Sequence, residues 1–227
     1  MKTIKLAVLA LLFVTVSCTE KKKEDTPKTA AKTIAENVEK PKKEKKEMVN
    51  GYKVGDIVKD FSLKNVDGKM VSMGNFKDAK GFILTFTCNT CPYSVAYEDR
   101  LIALDKKYAS QGYPVIAINP NSPEARPDDS FEKMQVRAKE KGFTFPYMLD
   151  EGQKIYPVFG ATRTPHMYVI AKTDKGHQIK YIGAIDNNHK DASAVTKRYI
   201  EDAVDALLAG KEVEVKTTKA IGCSIKV

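Results

Sequence analysis

The sequence predicts an α/β sandwich with a mixed central sheet flanked by helices, and three observations carry that reading. From Met48 onward, apolar runs of strand length alternate with longer segments of helical period. The order closes with an antiparallel hairpin and a last helix. Cys88-Asn-Thr-Cys91-Pro92 stands where the first buried strand hands over to a helix.

The first 47 residues lie outside that pattern. Lys2 and Lys5 precede the apolar run Leu6–Val14, and small Ser17 directly precedes Cys18. A positive start and a short apolar stretch make a translocation signal, and the run is far shorter than the ~20 residues of a membrane-crossing helix. The arrangement resembles a bacterial lipoprotein signal, which implies a signal peptide over residues 1–17, a lipid on Cys18 and an extracytoplasmic, membrane-anchored protein. Residues 19–47 hold ten Lys against seven acids and no aromatic, too little apolar surface to offset chain entropy. Residues 18–47 therefore read as a disordered, charged tether, and 48–227 as the folded domain. Of the formal charge of +9, only +4 remains on residues 48–227, which argues against a nucleic-acid partner.

Within the domain, Phe61–Val66 and Lys69–Met73 flank Asp67-Gly68, a hairpin turn pair. Phe82–Phe86 reads as a buried strand. Tyr93–Ser110 reads as a helix with Val95, Leu101, Leu104 and Tyr108 at roughly helical spacing. Pro114–Ile118 is a second buried strand. Asp128 or Asp129 is placed to cap a helix that runs through Lys141 and ends at Gly142. A short strand at Tyr147–Leu149 and a short helix at Gln153–Phe159 follow. His166–Ile170 and Gln178–Ile182 make a hairpin around Asp174–Gly176, and Ser193–Leu208 is the closing helix. Asp186–Asp191 has calcium-like composition without the spacing of an EF-hand and reads as a loop.

The cysteines carry the chemistry. A thiol at a helix N-terminus meets unpaired N–H groups and the positive end of the dipole, which can lower its pKa from ~8.5 to ~3.5–7.5. On this reading Cys88 holds the helix end and attacks, and Cys91, one turn along, releases the substrate. A zinc site would need four ligands, and only Cys223 and three dispersed His remain, so neither a metal nor a cofactor is implied. Thr164-Pro165 enters the strand at His166, where a proline serves best as a rigid, often cis, turn.

Strand, Cys-x-x-Cys, helix and a later Thr-Pro before a strand resemble the thioredoxin fold, a three-layer sandwich in which a cis-proline loop faces the redox pair. More closely, Phe86–Ser94, Tyr97–Leu101, Asp129–Met134, Phe145–Tyr147, Asp150–Gln153, Gly160–His166, Gly183–Asp186 and Ile221–Lys226 resemble the peroxiredoxin-like redoxin family. That family groups with the alkyl hydroperoxide reductase and thiol-specific antioxidant proteins. The resemblance implies thiol redox activity, with Thr164 and Pro165 beside Cys88 and Cys91.

Peroxiredoxins bind peroxide through Pro-x-x-x-Thr-x-x-Cys; here Thr85 stands three before Cys88, but Gly81 takes the place of the proline. Arg163 is the nearest candidate for a peroxide-binding arginine, and reads better as a surface residue of the proline loop. Cys223 adds a third thiol: Gly222 can take backbone angles closed to other residues and bend the tail so that Cys223 resolves Cys88 or Cys91, or Cys223 is a buried, inert thiol. The leading expectation is a membrane-tethered thiol-disulfide oxidoreductase. Its partners are protein thiols or disulfides and an unidentified electron donor or acceptor. The alternatives are a thiol peroxidase acting on a peroxide, and a copper-binding chaperone using Cys88, Cys91 and His166.

Overall fold

The computed structural model describes residues 51–227; the leader, Cys18 and the tether through residue 47 lie outside the described residues. The elements run β1 (Ile57–Val58), β2 (Ser62–Asn65), β3 (Met70–Ser72), β4 (Gly81–Phe86), α1 (Pro92–Tyr108), β5 (Val115–Asn119) and α2 (Phe131–Lys141). They continue with β6 (Tyr147–Leu149), α3 (Tyr156–Phe159), β7 (Arg163–Thr164), β8 (His166–Thr173), β9 (Gly176–Gly183), α4 (Tyr199–Leu208) and β10 (Cys223–Ser224).

Eight strands form one mixed sheet in the order β1-β9-β8-β4-β5-β6-β2-β3, while β7 and β10 pair with each other. β4, β5 and β6 are parallel, joined by α1 and α2 as crossovers. β8 runs antiparallel on the other side of β4. Every residue of β4 is buried, as a strand covered on both faces requires, which explains its unbroken apolar run. One face packs Ile83, Val115, Ala117, Met167 and Val169 against α1, α2 and α4. The opposite face packs Phe82, Leu84, Phe86, Ile118, Tyr168 and Ile170 against Phe159 of α3 and the segment around Phe61 and Met73. The result is the thioredoxin-like α/β sandwich. Among the described residues no helix is long and apolar enough to cross a membrane.

Three elements depart from the sequence reading. α1 buries Tyr97, Leu101, Leu104 and Tyr108, whereas Val95 faces outward. α2 is capped by Ser130, whose hydroxyl accepts from the Lys133 N–H at 3.4 Å, and not by Asp128 or Asp129. α4 begins at Tyr199 instead of Ser193, because the Asn187 side-chain carbonyl accepts the Thr196 and Lys197 N–H groups and holds that segment as a loop. The Asp186–Asp191 segment is structural: Asp186 pairs with Arg100 at 2.6 Å and accepts the Tyr97 hydroxyl at 2.8 Å.

The register of β4 on β8 builds the site. Phe86 lies opposite His166, so the residues leaving β4 meet the residues entering β8. Thr87 and Cys88 are thereby set beside Pro165 and Thr164.

Candidate active site

Pro92 is the first residue of α1, and Cys91 is its N-cap in an extended conformation. Proline suits the first helical position because its φ is already helical and its missing N–H is not needed there. It also drives the preceding residue into extended geometry. Cys91 therefore holds the helix end, with Cys88 three residues ahead of it; this corrects the expectation that Cys88 does. The signal stood in the sequence as the Cys91-Pro92 pair.

Both cysteines are 3% exposed. Cys88 Sγ lies 3.4 Å from the Thr164 hydroxyl and 3.9 Å from that of Ser94. Cys91 Sγ lies 3.0 Å from the Thr164 carbonyl oxygen, and the Thr164–Pro165 peptide bond is cis. The loop between the cysteines is held from below by Asp129. Its carboxylate accepts the Asn89 N–H at 2.8 Å, the Thr90 hydroxyl at 3.2 Å and the Asn121 amide at 2.7 Å. Tyr147 donates its hydroxyl to the Asn89 side chain at 3.0 Å.

The C-terminal segment closes the site from above. Cys223 and Ser224 of β10 pair antiparallel with Thr164 and Arg163 of β7. The Cys223 N–H points at Cys91 Sγ at 3.4 Å. Gly222 has no positive φ; it is required because any Cβ would overlap the Thr164 carbonyl group. Close approach, not a sharp bend, is the reason for glycine. Cys223 thus meets Cys91, and no hydrogen bond joins it to Cys88 among the described residues.

The sequence model of the AhpC/TSA family matches residues 54–182, more than half of the chain. The chain belongs to the AhpC/TSA family. Curated relatives include the thiol-disulfide oxidoreductase ResA of Bacillus thuringiensis (strain Al Hakam), 26% identical over 125 residues. That match takes in 54% of this chain and 66% of the relative. ResA of Halalkalibacterium halodurans is 25% identical over 118 residues, 52% of this chain and 62% of the relative. The chain therefore spans just under two thirds of the length of these relatives. Among solved structures, an uncharacterized conserved protein of Geobacillus kaustophilus aligns with TM-score 0.72 and 34% identity, over 78% of this chain and 94% of that one. A hypothetical protein of Sinorhizobium meliloti 1021 aligns with TM-score 0.71 and 31% identity, over 78% and 96%.

In this AhpC/TSA-family chain the two thiols form one titrating pair. With both protonated, each sulfur can donate to Thr164. Once a proton leaves, the Cys88 S–H turns to Cys91, and the charge rests where donors converge. Cys91 is lowered to about 4, first by the Cys88 thiol and then, against burial, by the Cys223 thiol and the Ser94 and Cys223 N–H groups. The same hydrogen bond, burial and the Asp129 carboxylate push Cys88 far above its ordinary value. Burial and the neighbouring Cys91 push Cys223 up to about 11.

The features read as peroxide-binding fall elsewhere. Thr85 is wholly buried in β4, and its hydroxyl has no partner. Gly81 begins β4, at the end remote from Cys88, and donates its N–H to Gly112 at 3.1 Å. A Cβ there would overlap the Ile170 carbonyl oxygen, so a proline is excluded. Arg163 is exposed and donates to the Gly222 carbonyl at 3.2 Å, which makes it a clamp on the tail. The crevice beside Cys88, lined by Thr87, Glu98, Leu101 and Tyr147, is too narrow for a water-sized sphere. His166 accepts the Thr162 N–H at Nδ1, and burial lowers its pKa to about 4, so the ring is neutral. Among the described residues, no group of three or more His, Cys, Asp or Glu is placed to hold a metal ion.

Asp129, Asn121 and Tyr147 are the functional residues that sequence reasoning missed. Asp129 was visible as one of two cap candidates with Asp128 and as the start of a family-like segment. Its role is set by contact with a loop forty residues away.

Proposed function

We propose that the chain is a thiol-disulfide oxidoreductase acting on protein disulfides through Cys88 and Cys91, held outside the cytoplasm by a lipid on Cys18. The observation that carries this reading is Cys91 at the N-cap of α1 with the Cys223 N–H donated to its sulfur, and a second thiol, Cys88, three residues ahead to complete the exchange. The ResA name of the curated relatives supports the reaction class. The leader pattern supports the tether.

In the reaction, the Cys91 thiolate attacks one sulfur of the substrate disulfide. The Cys91–substrate bond forms, and the other substrate sulfur leaves with the electron pair and takes a proton. Cys88 gives up its proton and attacks Cys91, which forms the Cys88–Cys91 bond and releases the second substrate thiol. The substrate is reduced by two electrons, the pair is oxidised by two, and an external dithiol must restore it. Attack by Cys91 inverts the order expected from sequence.

The test sets reduced protein separately against a protein disulfide and hydrogen peroxide, with both rates recorded. Faster reaction with the disulfide is expected, and a faster rate with peroxide makes the chain a peroxidase. With Cys223 also replaced by Ser, Cys88→Ser should trap substrate as a mixed disulfide on Cys91, whereas Cys91→Ser should neither trap nor turn over. Trapping by Cys91→Ser instead restores Cys88 as the attacking residue. Wild-type protein should fractionate with membranes and Cys18→Ser should not; equal release of both overturns the anchor.

A further inference from the structure

We infer that Cys223 is a third redox-active thiol, the partner of Cys91 in an intramolecular disulfide that draws oxidation out of the buried pair onto the tail. This rests on the proposed exchange by Cys88 and Cys91 and extends it by one step.

The tail is docked by a built seat. Lys226 donates its N–H to the Asn121 side chain at 2.9 Å, and its carbonyl accepts the Ser122 N–H at 2.9 Å and the Gln153 amide at 2.7 Å. Gln153 is the one non-glycine residue with positive φ among the described residues, at 54°. Such a backbone is uncommon outside glycine and is kept when the surroundings demand it. Its amide also reaches the Pro120 carbonyl at 2.8 Å, so one side chain ties the tail to the end of β5. Arg163 adds its bond to the Gly222 carbonyl, and Gly222 lets the tail lie directly on Thr164. These contacts set Cys223 opposite Thr164, the residue whose carbonyl touches Cys91 and whose hydroxyl touches Cys88.

Cys91 consequently stands between two other cysteines, Cys88 across the Thr164 side chain and Cys223, whose N–H reaches its sulfur. Cys88 is closed off from solvent, whereas Cys223 is partly exposed. Starting from the Cys88–Cys91 disulfide, deprotonated Cys223 attacks Cys91. The Cys91–Cys223 bond forms as the Cys88–Cys91 bond breaks, and the electron pair leaves on Cys88, which takes up the proton that Cys223 released. No net electrons enter or leave. The step leaves Cys88 as a thiol and presents the disulfide at a sulfur that an external thiol can reach.

Mapping of disulfide-linked peptides in full-chain protein oxidised by glutathione disulfide tests the inference. Each bridge transfers two electrons to glutathione disulfide and yields two glutathione molecules. In Cys88→Ser protein the expected product is a Cys91–Cys223 bridge, with no Cys88–Cys223 bridge in Cys91→Ser protein. In wild type both the Cys88–Cys91 and Cys91–Cys223 bridges should appear, and Cys223→Ser should show the first alone with an unchanged melting temperature. If Cys88→Ser leaves Cys223 as a free or glutathione-capped thiol while wild type still forms Cys88–Cys91, the relay fails and the exchange reading stands. If wild type forms no Cys88–Cys91 bridge, the exchange reading fails and the relay with it. Dominant Cys88–Cys223 bridging in Cys91→Ser overturns the placement of Cys91 in the middle.

Discussion

The two sides of the thiol pair are built from the same kind of material and act in opposite directions. Below the Cys88–Cys91 loop, Asp129 satisfies the Asn89 N–H and the Thr90 hydroxyl, and its carboxylate opposes charge on Cys88. Above it, the tail brings the Cys223 N–H and thiol to Cys91, and both favour charge there. One side places an acceptor near a sulfur and the other places donors. The segments responsible lie 40 and 132 residues away in the chain. Acidity in a Cys-x-x-Cys site thus depends on which distant loop packs against each sulfur, as well as on the order of the cysteines along the helix.

Displacing the upper side should have the largest effect. In Gly222→Val the new side chain overlaps the Thr164 carbonyl, so β10 should leave β7. Cys91 would lose the Cys223 N–H, and the midpoint of its alkylation against pH should rise from about 4 while its rate of alkylation at neutral pH increases. An unmoved midpoint would mean that Cys88 and the helix end hold the charge without the tail.

That titration runs through a window in which the fold itself responds to acid. Burial lowers the pKa of His166 to about 4 from 6.5, so between those values the unfolded chain binds a proton that the folded chain does not. Stability contributed by the neutral ring is complete above pH 6.5 and falls as pH drops toward 4, on the order of 3 kcal/mol in all. Denaturant melts across this range should show the loss in wild type and a flatter profile in His166→Asn, whose side-chain oxygen can still accept the Thr162 N–H. If the two profiles coincide, another group carries the acid response.

Breaking the lower side should cost less. Asp129→Asn keeps one acceptor for the Asn89 N–H but turns an amide toward the Thr90 hydroxyl and the Asn121 amide, at a cost of about 1–3 kcal/mol in folding free energy. With the carboxylate gone, Cys88 should titrate lower, read by alkylation in a Cys91→Ser background where it is not coupled to a second thiol of the pair. A Cys88 midpoint that does not fall would remove Asp129 from the electrostatics and leave it a tether for the loop.

The strands of the sheet centre were legible because burial on both faces leaves an unbroken apolar run, as in Phe82–Phe86 and His166–Ile170. The redox pair was legible because its chemistry is local. β1, β7 and β10 have two residues each, too few to show any period, and so they were invisible. The start of α1 was written in Pro92, yet the spacing of the cysteines drew the helix end to Cys88. The docking of Cys223 on Cys91 was not legible, because it depends on Asn121, Gln153 and Arg163 reaching one strip of backbone from three separate loops.

Thr85 gives the smallest effect and the sharpest contrast with the residues that do touch the sulfurs. It points into the α1 face of the sheet beside Ala117 and Met167, its hydroxyl buried and unpaired. A buried hydroxyl without a partner carries its desolvation penalty with no return, whereas an apolar side chain of the same shape carries none. Thr85→Val should therefore leave the melting temperature equal or raise it, by up to about 1 kcal/mol in folding free energy, with turnover of a protein disulfide unchanged. Hydrogen peroxide supplies the second arm. If Thr85→Val loses a peroxide-dependent rate that wild type possesses, the hydroxyl serves the chemistry and the orphan position in β4 belongs to the reacting site; if neither rate moves, Thr85 is strand packing and the peroxide motif is absent from this chain.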